Sequence, residues 1–141
     1  MGNTRFPFNR QEPVMPFTRI AVREGRSVED RRALSAGVHR ALQRAFNVPE
    51  DDIFMLVTQH AAEDFIFGRH YLGIERSDNL VMLQITVSDT RTREQKRELY
   101  RLIVEELGAS PGVRPEDVLI SLVEVKLDDW SFGMGLAQYA N

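Results

Sequence analysis

The chain has 141 residues, 43% hydrophobic and 28% charged, with 18 basic against 21 acidic side chains and a formal charge of −3. That is enough for one hydrophobic core, and the mild, interspersed acidity leaves no electrostatic footprint for nucleic acid or an anionic membrane surface. The absence of cysteine excludes disulfides, thiolate nucleophiles and Cys-ligated zinc or iron–sulfur sites, and points to a cytoplasmic protein.

Residues 1–14 read as an N-terminal extension. They hold no apolar run of the kind a secretory signal needs, and the apolar runs elsewhere are strand-sized, short of the ~20 residues of a membrane span. Pro16 to Arg23 then reads as a strand with Thr18, Ile20 and Val22 on one face, Pro being acceptable where no ladder N–H is required. Gly25 breaks it. Ser27 with Asp30 gives a start like a capping box, and Leu34, Val38, Leu42 and Phe46, with Ala41 and Ala45 beside them, mark the apolar stripe of a helix ending near Asn47. Ile53 to Thr58 reads as a second strand, apolar enough to be covered on both faces. Ala61 to Asn79, with Phe65-Ile66-Phe67 and several turn residues, reads as a short strand or hairpin with loops. Leu80 to Val87 is a third strand. Thr92 and Gln95 cap a second helix with the stripe Leu99, Leu102, Ile103 and Leu107, stopped by Gly108, and Val118 to Val125 is the last long strand.

The two halves, about 16–60 and 80–125, repeat one another. Arg26-Ser27-Val28-Glu29 aligns with Arg91-Thr92-Arg93-Glu94 at an offset of 65, as do Ile20 and Val22 with Ile85 and Val87, and Pro49-Glu50-Asp51 recurs as Pro115-Glu116-Asp117 at 66. Each half is strand, helix, strand, so the expected fold is α/β (α+β): two tandem βαβ units forming a four-stranded mixed sheet with both helices on one face. Residues 15–141 form a single domain, with 126–141 as a C-terminal segment. The other sheet face is left open and apolar, which predicts a homo-oligomer.

A Met15-Pro16 strand start, the Val48-Pro49-Glu50-Asp51-Asp52 turn, the helix opening Thr90-Arg91-Thr92-Arg93-Glu94-Gln95-Lys96 and the terminal Asp129-Trp130-Ser131-Phe132-Gly133 together resemble the tautomerase superfamily, in its malonate semialdehyde decarboxylase branch. The resemblance spans Met15 to roughly Gln138. It implies a homotrimer, a small carboxylate substrate, and no metal or organic cofactor. It also implies that Pro16 stands at the catalytic proline, Asp52 at the water-activating or orienting carboxylate and Arg91 at the substrate-carboxylate arginine, with Trp130 and Phe132 forming an aromatic wall. The chain departs from the branch where Arg-Pro-Arg would stand, having Asp89-Thr90-Arg91-Thr92-Arg93; the choice of substrate stays open.

The chemistry fits these residue types. A proline amine is a base whose ring fixes its direction, and an apolar pocket lowers its pKa from the ordinary ~8. An arginine holds a carboxylate with two parallel N–H groups and stabilises an enolate developing beside it. An internal proline nitrogen, by contrast, is a tertiary amide without basicity. Either Met15 is the initiator and its removal exposes Pro16, or the extension stays and proline chemistry is absent. In the second case Phe6 and Phe8 are free to dock on a neighbour or over the pocket.

Structural readings stand beside these. Arg91 has its counterpart in Arg26 and so is equally a helix-start pairing residue, and Asp52 follows a turn where carboxylates commonly bind backbone N–H groups. His60 and His70 lack a third ligand at metal spacing, and His39 is placed on the polar side of its helix, so no metal site is assigned. Trp130 is alternatively an anchor for the C-terminal segment.

Overall fold

The computed structural model describes residues 15–139; the extension with Phe6 and Phe8, and residues 140 and 141, lie outside the described residues. Strand β1 (Phe17–Arg23) buries Thr18, Ile20 and Val22 completely and turns its alternate residues to the other face. Helix α1 (Val28–Phe46) opens on Ser27, whose hydroxyl accepts the Asp30 N–H at 3.0 Å. It closes on Asn47, held at φ 59° with its N–H on the Gln43 carbonyl, a left-handed cap that asparagine tolerates. Strand β2 (Met55–His60), strand β3 (Val81–Ser88), helix α2 (Arg93–Ala109) and strand β4 (Val118–Val125) follow. The start of α2 is a full capping box, with the Thr92 hydroxyl accepting the Gln95 N–H and the Gln95 side chain accepting the Thr92 N–H.

The sheet order is β2-β1-β3-β4, parallel within each half and antiparallel between β1 and β3. The register carries the duplication: Thr18 pairs with Met55 and Leu83 with Ile120, each residue of the second pair standing 65 after its counterpart. Both helices lie on one sheet face and against each other, and the apolar stripes of both are buried in a single core with the inward residues of β1 and β3. The helices meet closely at Gly37, where a Cβ would fall 2.8 Å from Leu107 Cδ2.

Several expectations are corrected. Strand β2 starts later than Ile53 and is not covered on both faces: it is an edge strand, and Leu56 is 46% exposed. Two helices from two units serve one face only, so an apolar run at the sheet edge keeps half its residues outside. Residues 61–79 contain no strand, only the short 3₁₀ turns Ala62–Asp64 and Tyr71–Gly73, with Phe65 tucked inward and Ile66 outward. Gly108 does not stop α2, which runs one residue further and ends at Ser110. His39 is not on a polar face but buried at 8% exposure. The open sheet face is mixed rather than apolar: Leu56, Leu119 and Val123 are exposed there beside Arg19 and Gln84, and the Arg19 guanidinium lies 5.2 Å from the centre of the Phe17 ring.

Candidate active site

Strand direction gathers the site. Because β1 and β3 run antiparallel, the start of β1 lies beside the end of β3, with Phe17 opposite Thr86. The end of β4 lies there as well, Val125 pairing with Ser88. Pro16, the loop from Ser88 to Arg91, and the segment after Val125 therefore emerge at one end of the sheet. Asp52 joins them, since the chain entering β2 is tied to β1 by the Thr18 N–H on the Phe54 carbonyl at 3.0 Å.

Pro16 is buried. The residue before it, Met15, takes φ 42°, an uncommon conformation for a residue with a Cβ and one that proline ordinarily disfavours in its predecessor. Its N–H donates to Asp52 Oδ2 at 2.9 Å. Asp52 sits in a turn closed by its own N–H on the Pro49 carbonyl at 3.1 Å and is only 7% exposed. Its second oxygen, Oδ1, is buried without a hydrogen-bond partner among the described residues.

Burial is the main reason that the Asp52 pKa is raised to about 6 from 3.8; the Met15 N–H and His39 pull it down, and Asp51 pushes it further up. A carboxyl whose folded pKa exceeds its unfolded one keeps its proton in the native state where the unfolded chain has lost it, so its contribution to stability falls as pH rises from about 4 to about 6. Asp52→Asn is expected to remove that loss. The stability of the variant relative to the parent should rise by roughly 1–2 kcal/mol between pH 4 and pH 7, discounted for solvent screening. Urea unfolding of both proteins at the two pH values measures it, and parallel pH profiles would refute the assignment.

Arg91 stands just before α2 and reaches the end of α1. Its Nη2 donates to the Phe46 carbonyl at 2.9 Å, and its guanidinium lies 5.1 Å from the centre of the Phe46 ring. This carbonyl belongs to the last turn of α1, where carbonyls lack intrahelical donors and a cation is favoured. The arginine is therefore oriented by the helix end and the aromatic ring below it. Arg26, its repeat counterpart, likewise donates to a backbone carbonyl, that of Asn79 at 2.7 Å, so the duplicated arginines share a structural task.

Trp130 Nε1 donates to Ser88 Oγ at 3.1 Å, pinning the indole to the end of β3. Phe132 stacks on it at 5.2 Å between centroids and 16° between planes, and Tyr139 meets Phe132 edge-on at 5.8 Å. Gln138 fixes the return of this segment, accepting the Phe132 N–H at 2.9 Å and donating to the Gly133 carbonyl at 3.1 Å.

Pro16, Asp52, Arg91, Trp130 and Phe132 thus lie at one end of the sheet. Sequence reading had not singled out Ser88, Gln138, Tyr139 or the Phe46 ring as parts of this end. Phe46 was visible only as a core residue, and nothing periodic marks the other three. His60 bonds to Thr58, and His70 to Glu75 on the surface. Among the described residues no three His, Cys, Asp or Glu side chains are grouped to hold a metal ion.

A cavity of about 540 Å³ lies at the opposite end, lined by Arg26, Asp78, Arg114 and Asp117 among others. It is the duplicated counterpart of the first end: Arg26 stands 65 residues before Arg91, and in the 65-residue register of the strands Asp117 answers to Asp52, not to Asp51 as the sequence alignment has it. Asp117 is taken up by the Ser77 N–H at 2.8 Å and the Ser77 hydroxyl at 2.6 Å, and Arg23 pairs with Asp78 at 2.7 Å. In the second half Val81 occupies the place of Pro16, so size alone does not make this cavity the reactive end.

A family model described as tautomerase enzyme matches residues 52–133, and a second of the same description matches residues 16–74. The probable tautomerase YusQ of Bacillus subtilis (strain 168) is 42% identical over 124 residues, covering 88% of this chain and 98% of its own. The chain belongs to the tautomerase superfamily. Two solved malonate semialdehyde decarboxylases are similar at 33% and 38% identity, each with a TM-score of 0.82 over 87% of this chain and 95% and 93% of theirs. The first is described with decarboxylase and hydratase activities, and the second, the FG41 enzyme, was solved inhibited by 3-bromopropiolate. This tautomerase falls in their branch.

Proposed function

We propose that this tautomerase acts without a cofactor on a small 2-oxo or 3-oxo carboxylic acid, with Pro16 as acid or base when it stands at the N-terminus. The observation that carries the reading is that a buried Pro16 and the buried Asp52 carboxylate come together with Arg91 at one end of the sheet. A match to a tautomerase family model that begins at residue 16 supports it, as does an inhibitor of a similar enzyme that is itself a small carboxylate. In this reading Arg91 binds the substrate carboxylate and Trp130 with Phe132 walls the substrate.

For tautomerisation, neutral Pro16 removes a proton from the carbon beside the carbonyl, the C–H pair becomes the enolate double bond, and the proton returns to oxygen or carbon. For decarboxylation, protonated Pro16 donates to the carbonyl oxygen of a 3-oxo acid. The pair of the breaking C–C bond then flows into the enolate as carbon dioxide leaves. Asp52 orients or activates water where hydration follows.

A second reading rests on Met15 itself. Joined to it, Pro16 has an amide nitrogen that neither accepts nor gives a proton, and the same fold then serves as a catalytically silent or repurposed oligomer that binds small carboxylates through Arg91.

Intact mass of the protein from its native cells, paired with turnover of an enolisable phenylpyruvate-type substrate, separates the readings. A chain starting at Pro16 that turns the substrate over is the expected result; an inactive chain retaining Met15 sinks the enzyme. The open sheet face supports a homotrimer, and light scattering should return the mass of three chains.

A further inference from the structure

We propose that His39 is a positioning residue for Asp52, anchoring the turn of residues 49–52 through the Glu50 carbonyl. Its consequence for catalysis rests on the reading of Asp52 above; the positioning itself does not.

The ring stands on α1 and is almost fully buried. Its Nε2 lies 3.0 Å from the Glu50 carbonyl oxygen. A carbonyl only accepts, so Nε2 carries the hydrogen and holds the turn two residues before Asp52. The other ring nitrogen, Nδ1, is buried and has no hydrogen-bond partner among the described residues. Asp52 Oδ1 is in the same condition. Two buried polar atoms therefore belong to groups fastened to one turn, where a buried polar group without a partner is costly and calls for an explanation.

The groups that act on the Asp52 carboxylate come from three places. The Met15 N–H from the start of β1 and His39 from α1 favour the charged form, while Asp51 in the turn opposes it. Of these, the imidazole is the one that comes from α1. It also holds the backbone that aims the carboxylate, which makes it the element through which α1 governs Asp52. The sequence places no such signal on His39, since a single histidine in a helix with charged neighbours reads as solvated.

The test uses the full chain with labelled aspartate, following the Asp52 carboxyl by carbon NMR against pH. His39→Gln keeps an amide N–H for the Glu50 carbonyl and removes the ring. It is expected to fold with an unfolding midpoint near that of the parent, yet to move the Asp52 titration upward. His39→Leu loses both functions and should show the same displacement with a lower unfolding midpoint. An unmoved Asp52 titration in folded His39→Gln overturns the proposal, and so does a nitrogen spectrum of the parent that places the hydrogen on Nδ1 instead of Nε2. In active protein the acid limb of kcat/KM should move with the Asp52 titration. If Asp52→Asn leaves turnover intact, the catalytic reading of Asp52 fails while the titration still decides the role of His39.

Discussion

In protein beginning at Pro16, Pro16→Ala is expected to lower kcat/KM by about 10²-fold or more, equivalent to about 2.7 kcal/mol of transition-state stabilisation. The substitution leaves an α-amine but not a proline amine. A primary amine rotates about its bond to Cα, whereas the pyrrolidine ring fixes the direction of the nitrogen lone pair. Burial of the residue adds to the difference, because an apolar surrounding disfavours the ammonium form and brings the amine toward the working pH. The same substitution in protein carrying residues 1–15 should change nothing in the rate, since that nitrogen is an amide with either residue. Steady-state kinetics on the four proteins gives the answer. Equal rates for proline and alanine in the shorter protein would remove Pro16 from the mechanism.

Phe46→Ala is expected to cost about 3–5 kcal/mol of stability, a large share of the roughly 5–15 kcal/mol that holds a domain together. The ring is 1% exposed and closes α1 against the core, so its removal opens a cavity that neighbouring helices cannot fill without moving. The same ring underlies the Arg91 guanidinium at 5.1 Å. The backbone carbonyl that accepts from Arg91 survives the substitution, but the stacking surface does not, and a cation over an aromatic face is worth about 0.5–2 kcal/mol. In active protein KM should therefore rise more than kcat falls, the pattern of a residue that positions a substrate-binding group. The midpoint of urea unfolding and the two kinetic constants are the measurements. A loss below about 1 kcal/mol would show that the end of α1 repacks around the gap, and an unchanged KM would separate Phe46 from substrate binding.

How much of the site is visible in the sequence differs from residue to residue. Trp130 and Phe132 are two apart in a segment without periodicity, and only the family resemblance singles them out. Their stacking, and the hydrogen bond that fixes Trp130 to Ser88, depend on where β3 and the C-terminal segment meet. Arg91 and Arg26 are equivalent in the sequence, and both donate to carbonyls in the fold. What distinguishes them is the end of the sheet on which each finds itself. His39 was misread because the apolar stripe of α1 says nothing of what the chain beyond the helix folds back to cover. The turn that follows α1 folds back over the ring, and the Glu50 carbonyl meets its Nε2.

The sequence by itself determined the two strand–helix–strand units, the N-terminal caps of both helices, their apolar stripes and the 65-residue duplication, because each of these is a local pattern of side-chain spacing. It also determined the tautomerase-like set of Pro16, Asp52 and Arg91 as residue types at particular positions. Only the tertiary structure decided that β2 is an exposed edge and that residues 61–79 form no strand, since coverage depends on which faces the two helices share. Only it decided which end of the sheet gathers the candidate site. Two units related by duplication offer two similar ends, and the antiparallel meeting of β1 with β3 puts Pro16, Asp52, Arg91 and the aromatic segment together at one of them. Burial of the Asp52 carboxylate beside His39 arises in the same way, from chains 13 residues apart packed into one desolvated corner.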